Sequence, residues 1–296
     1  ATIVFQFLQP TLICLYIFGT QKGRDEVLGK IGGKGIGRTH LSFWPEAYAA
    51  VSSFSGICQY LSLALPGVIV ISEWWASEVT IFFSGRLQPN PAHALGAMAI
   101  YQSINSCCFM FSAGTSVAVS ARVGTWLGKD NPNRAALSSK IGLFCACFLT
   151  LVLSSVLFFT PHTFFPSFFT PDEDVIYETS RTIPLLAIYV FADGLQTTFN
   201  GIIKGCGRQV VTIPIVIVAY WVVGVPLSYY LAFILHNGEM CNDSMGCGIV
   251  ALVEGMTVGT WIHFLLIAMV VVSTTNWKEE VLNAQKRLSL ERKLNC

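Results

Sequence analysis

Seven stretches of this 296-residue chain stay apolar for about as long as a helix needs to cross a bilayer, and that repetition leaves the chain few other ways to fold. They run near 2–19, 57–83, 94–120, 137–160, 175–203, 209–235 and 247–272. At about 1.5 Å of rise per residue, roughly 20 residues cover the hydrocarbon core. Composition agrees, with 53% hydrophobic and 12% charged residues and a mean hydropathy of +0.59. An ordinary soluble domain carries roughly 25% charge. The expected class is an all-α, polytopic transmembrane helical bundle.

The net charge of +1 is uninformative here, because placement of charge sets orientation and its sum does not. Of the 18 Lys and Arg, 16 fall within 21–40, 122–140, 204–208 and the tail after Ser273; only Arg86 and Arg181 lie elsewhere. By the positive-inside rule those connections and the tail are cytosolic, and the loops 85–93, 161–174 and 236–246 face the other side. Ala1 already sits inside an apolar run, with no initiator Met and no basic lead-in. The sequence reads as a chain that has lost its beginning rather than one carrying a signal peptide.

The ten cysteines lie mostly inside apolar runs, as at Cys14, Cys58, Cys107, Cys108, Cys145 and Cys147. There they act as small buried hydrophobes and form no metal or redox pattern. Cys241 and Cys247 flank the sequon Asn242-Asp243-Ser244 in a loop assigned outside the cytosol; a disulfide and two free thiols both fit there. The sequon's nearness to the next span disfavours a glycan. The glycine-rich 29–37 lacks a preceding strand and a Lys-Ser/Thr ending, so it reads as a flexible basic linker and not a phosphate loop. In the tail, Trp277, Val281, Leu282, Leu288 and Leu294 gather near one helical face opposite a basic one, as in either a short solvated helix or an interfacial one.

Four acids interrupt the spans: Glu73, Glu78, Asp193 and Glu254. No Lys or Arg lies near the middle of any span to neutralise them. Desolvation then favours the neutral acid, which exchanges its proton as hydration changes, and that is how a proton relay is built. Glu73 and Glu78 are five residues apart, roughly 140° around a helix, so they need not be equivalent. Glu78 lies near the end of its span, where it can snorkel. Glu254 is expected two to three turns into the last span, beside Gly255; for it, as for Glu73 and Asp193, the plainer alternative is a protonated acid bonded to a neighbouring helix.

The third segment carries Gln102, Ser103, Asn105 and Ser106 where a lipid-facing helix would be aliphatic, so it lines something polar or wet. Trp74 and Trp75 fall within a span, where either packing or cation-π contact with an organic cation is open to them, and Tyr101 is a further aromatic of the interior. Enzyme signatures are missing. The five histidines form no ligand pair, and no nucleophile elbow or Walker sequence occurs. The sequence calls for no cofactor, metal or nucleic acid.

Five stretches together resemble a known family: LALPGVIVISEWWASE at 63–78, AGTSVAVSARVGTWLGKDNPNRA at 113–135, GLQTTFNGIIKGCGRQ at 194–209, YWVVGVPLSYYLAF at 220–233 and NWKEEVLNAQ at 276–285. In that order they are similar to the C-terminal half of a eukaryotic multidrug and toxic compound extrusion (MATE) transporter. The resemblance implies twelve spans in two lobes of six, of which this chain holds the last span of the first lobe (1–20), an interlobe linker (21–56), the six-helix second lobe (57–273) and a basic tail (274–296). It implies antiport of organic cations or other xenobiotics against protons, sodium being used in some bacterial branches. By the same resemblance Glu73, Glu78 and Asp193 are the proton-coupling acids. Trp74, Trp75, Tyr101, Gln102, Asn105 and Glu254 are the candidate substrate contacts.

Two departures stand out. Gln102 replaces a further Glu of some animal members, and Glu254 stands where the family generally has an uncharged residue. Two rival readings are a heptahelical receptor, which shares the count of seven spans, and a lipid or glycolipid flippase of related fold, which a cavity lined by Lys or Arg would favour. The partners expected are the missing N-terminal lobe, a small organic cation, protons and the bilayer of a plasma, vacuolar or other organellar membrane.

Overall fold

The computed structural model describes residues 54–240 and 246–294, together with Leu8, Thr11, Leu12, Leu15 and Tyr16 of the first apolar segment. Two compact units divide at residue 63, the second running from Ala64 to Cys296. In the first, Leu8, Thr11, Leu12, Leu15 and Tyr16 are helical and exposed. The interlobe linker lies outside the described residues, as does Cys241 with its sequon. Cys247 is disulfide-bonded.

Seven helices follow: α1 (Phe54–Ser84), α2 (Pro91–Gly128), α3 (Pro132–Phe159), α4 (Glu173–Cys206), α5 (Gln209–Leu235), α6 (Ile249–Thr274) and α7 (Trp277–Leu294). No strand occurs among the described residues beyond a single bridge, in which Gln88 N–H donates to Gly238 carbonyl at 2.8 Å and Met240 N–H to Gln88 carbonyl at 2.7 Å. The helices α2, α3, α5 and α6 are long and apolar enough to cross a membrane. Helix α4 departs from an apolar rod because it is the central helix of the lobe. From Ala192 to Ile203 it is buried on every side, and that run includes Asp193, Gln196, Thr197, Thr198 and Asn200. Most polar atoms so buried have partners, as Asp193 and Gln196 do for each other, while Asn200 Oδ1 has none.

Lipid supplies no hydrophobic force between helices, so close backbone approach and interhelical hydrogen bonds hold the bundle. Ser116 Oγ donates to Thr197 carbonyl at 2.7 Å, Ser154 Oγ to Ala187 carbonyl at 2.6 Å and Ser228 Oγ to Leu252 carbonyl at 2.8 Å. Gly201 lies where a Cβ would stand 2.6 Å from Ser116 carbonyl oxygen of α2. In α6, Gly255 and Gly259 form a small-xxx-small face; a Cβ on Gly259 would meet Ala219 carbonyl at 2.7 Å and Gly224 Cα at 3.1 Å.

Helix α5 widens into π-helix over Ile217–Gly224 and again over Tyr230–Leu235. Pro226, between them, has no N–H to return to the preceding turn. π-turns of this kind recur at functional sites, and this one holds Tyr220.

The family-like turns are local stop and start devices at the end of the bundle where the basic residues collect. Asn131 caps α3 by accepting from Arg134 N–H at 3.1 Å, with Pro132 in the first turn. Lys129 and Arg134 lie over the Trp126 ring at 5.3 and 4.6 Å. Gly207, at φ +69°, ends α4 in the left-handed region, where a Cβ is costly. Helix α7 is not a free solvated helix. Its Trp277, Val281 and Ala284 pack against Leu127, Ile203, Cys206 and Val271. Arg208 meets the buried carboxylate of Glu280 at 2.8 Å, and Arg287 donates to Cys206 carbonyl at 3.2 Å. Leu282, read as part of the apolar face, points outward at 61% exposure. The tail thus docks as a cap on the ends of α2, α4 and α6, bonding carbonyls that helix ends leave unpaired.

Candidate functional site

Three helices bring polar side chains to one place inside the lobe. Glu73, Trp74 and Ser77 of α1, Gln102, Asn105 and Phe109 of α2, and Tyr189 and Asp193 of α4 line a cavity of about 20 Å³. That volume admits about one water molecule, so the space can hydrate the acids. Both deep acids face the same space, which their separation in sequence does not dictate.

Behind Asp193 a hydrogen-bond chain runs to α5 and α6. Gln196 Nε2 donates to Asp193 Oδ1 at 3.0 Å and to the Tyr220 hydroxyl at 2.9 Å, and that hydroxyl lies 3.3 Å from Thr260 Oγ1. All of these groups are buried. Their register follows from the local sequence: Asp193 and Gln196 are one helical turn apart on α4, and the π-turn of α5 aims Tyr220 at them. Behind Glu73 stands His263 of α6, fully buried, its Nδ1 at 3.6 Å from Glu73 Oε2 and its ring edge-on to Tyr220 with centroids 5.6 Å apart.

Trp74 is half-buried and packs edge-on against Phe109 at 5.0 Å. Gln102 and Asn105 reach the cavity and Tyr101 does not, being buried at the α2 core. Trp75 is 53% exposed and Glu78 is exposed, and neither lines the cavity. Glu254 also lies apart, at the other end of the bundle from the basic loops and five residues after α6 begins at Ile249. Its carboxylate faces Gly246, near His236. Reading it two to three turns into the span placed it too deep.

His263 is the residue that sequence reasoning passed over. It stands alone among aliphatics and aromatics, and the available signal was a lone titratable side chain in the middle of the last span. Elsewhere, His93 lies 3.9 Å from both Asp172 and Asp174. Each of the three can offer a ligand atom to an ion, but Asp172 already serves as the N-cap of α4 and both carboxylates are exposed. Among the described residues no Lys or Arg lines the central cavity.

The sequence model of the MatE family matches residues 67–230, a stretch that contains both cavity acids and Tyr220. Protein DETOXIFICATION 1 of Arabidopsis thaliana is 33% identical over 235 residues, 79% of this chain and 47% of that protein. Protein DETOXIFICATION 39 of the same plant is 32% identical over 244 residues, 80% of this chain and 45% of that one. The crystal structure of the eukaryotic MATE transporter AtDTX14 superposes with a TM-score of 0.70 at 26% identity, covering 79% of this chain and 50% of that chain. The chain therefore spans about half the length of the curated relatives it matches, and a receptor reading has no support among them. A polytopic helical bundle with acids turned inward, a match over more than half its residues and a shared fold place the chain in the eukaryotic multidrug and toxic compound extrusion family.

Proposed function

We propose that this chain is the C-terminal half of a secondary antiporter that exports organic cations in exchange for protons, completed by an N-terminal lobe. The observation that carries the reading is the sharing of one cavity by Glu73 and Asp193, with Trp74, Gln102 and Asn105 beside them and no basic side chain in the lining. Two acids around one small space cannot both ionise independently, so protons leave them as a coupled set. A cation arriving in the space stabilises the carboxylates, and protons from the acidic side displace it. Alternating access then moves one lobe against the other around this point, which opens a cavity that holds only about one water in the present conformation.

The test is vesicle transport by the full-length protein. An imposed proton gradient should drive saturable efflux of ethidium, a planar organic monocation, and a sodium gradient of equal size should not. Equal transport under a sodium gradient alone overturns the proton coupling. No gradient-dependent transport of ethidium or tetraethylammonium overturns the cation specificity.

A further inference from the structure

We propose that His263 is the positioning partner of Glu73 and shares one proton with it. The inference rests on the antiport reading above and adds a residue to its site. The imidazole is fully buried, and neither ring nitrogen has a hydrogen-bond partner. Glu73 Oε2 is likewise buried and unpartnered, 3.6 Å from Nδ1. Two orphaned polar groups aimed at each other inside a bundle are rare, because each alone forfeits its hydration. A shift of less than an ångström closes them to a hydrogen bond.

The groups facing the imidazole are few. Glu73 approaches from α1 and Tyr220 from α5, Thr260 stands one turn earlier on α6, and Asp193 follows from α4 through Gln196 and Tyr220. Glu73 is the acid in contact, so a proton on this side of the site belongs to the Glu73–His263 pair. With the carboxyl protonated, its O–H donates to a ring nitrogen. When the proton moves, the O–H bond breaks and an N–H bond forms, leaving a carboxylate beside an imidazolium with the total charge unchanged. Glu73 can thus present a carboxylate to the cavity before the proton has left the protein. A cation bound at that carboxylate repels the imidazolium and releases the proton.

Four of these residues are remote in sequence, and the pair needs no lysine or arginine in the span. The two acids share the cavity but differ in their neighbours, since Asp193 accepts from Gln196 while Glu73 Oε2 faces His263.

The experiment compares wild type, Glu73→Gln and His263→Gln in the full-length protein, reading ethidium efflux against pH together with ethidium affinity at high pH. Gln keeps hydrogen-bonding capacity but cannot hold the proton. His263→Gln is expected to move the midpoint of the efflux profile by about one pH unit, equivalent to about tenfold in proton affinity. Ethidium affinity at high pH, where Glu73 is already ionised, should stay within about threefold of wild type. An unmoved profile at equal surface expression overturns the proposal. If Glu73→Gln keeps wild-type pH-driven efflux, the antiport reading itself has failed; loss in Glu73→Gln with an unmoved His263→Gln profile removes only the role of His263. Infrared difference spectra of the wild-type protein on a pH step give a second measurement that does not depend on the variant folding. The carboxyl band assigned to Glu73 should change together with ring bands sensitive to ¹⁵N-histidine labelling, and a carboxyl change without them overturns the pair.

Discussion

Replacing Glu73 by Gln or Asp193 by Asn is expected to abolish proton-driven efflux by the full-length transporter, with a fall of about 100-fold or more for either change. Each substitution is nearly isosteric with the protonated acid, so the cavity should keep its shape and the protein should reach the membrane. What is lost is the exchange of a proton for a cation. For Asp193→Asn the amide of Gln196 can re-pair with the new carboxamide, so the chain through Tyr220 survives. Glu78→Gln should cost much less, because Glu78 is exposed on α1 and borders a different surface. Efflux assays at matched surface expression check all three. Wild-type, pH-dependent efflux in both Glu73→Gln and Asp193→Asn would remove the basis of the mechanism.

The second large effect is structural. Gly259→Val should unfold or misassemble the lobe, because a Cβ there would sit 2.7 Å from the Ala219 carbonyl oxygen and 3.1 Å from Gly224 Cα, and neither atom belongs to a side chain that can rotate away. The helices α5 and α6 would have to part, at a cost of about 3 kcal/mol. The separation would also pull Thr260 away from Tyr220, since Thr260 is the next residue. Gly114→Ala is the control: nothing lies within 4 Å of its added Cβ, and in a helix the change is worth up to about 1 kcal/mol in favour of folding. Thermal melting of the detergent-solubilised protein should show Gly259→Val well below wild type and Gly114→Ala at or above it. Equal melting of Gly259→Val and wild type would mean that the α5–α6 crossing is not as close as described.

The antiport model and the fold make different demands on the chain. Transport needs a cavity that opens and dries by turns, and the acids sit where α1 and α2 meet the buried α4. Stability needs crossings close enough for backbone contact, supplied by Gly201, Gly255 and Gly259. The docked tail serves the second demand. It covers the ends of α2, α4 and α6 with Trp277 and Val281 and pairs Glu280 with Arg208.

How deep each group lies along its span was legible from sequence, because hydropathy and the distribution of Lys and Arg act along the chain. That is why the helices after residue 54, the clustering of basic residues at one end, and Glu73 and Asp193 as deep acids could all be read without a structure. Glu254 was the exception, misplaced in depth because the start of α6 was set too early. Which neighbour each group faces was not legible. Glu73, Asp193, Tyr220 and His263 come from four helices, and a one-residue change in helical register turns a side chain by about 100°. Interhelical packing sets that rotation: the glycine crossings, the π-turn in α5 and the hydroxyl bonds between helices. The same packing turns Trp75 and Glu78 away from the cavity, sets Glu254 against the 246 turn and draws α7 onto the bundle. The sequence by itself determined a membrane bundle carrying buried acids; only the tertiary structure decided that two of them share one cavity and that a histidine stands behind one of them.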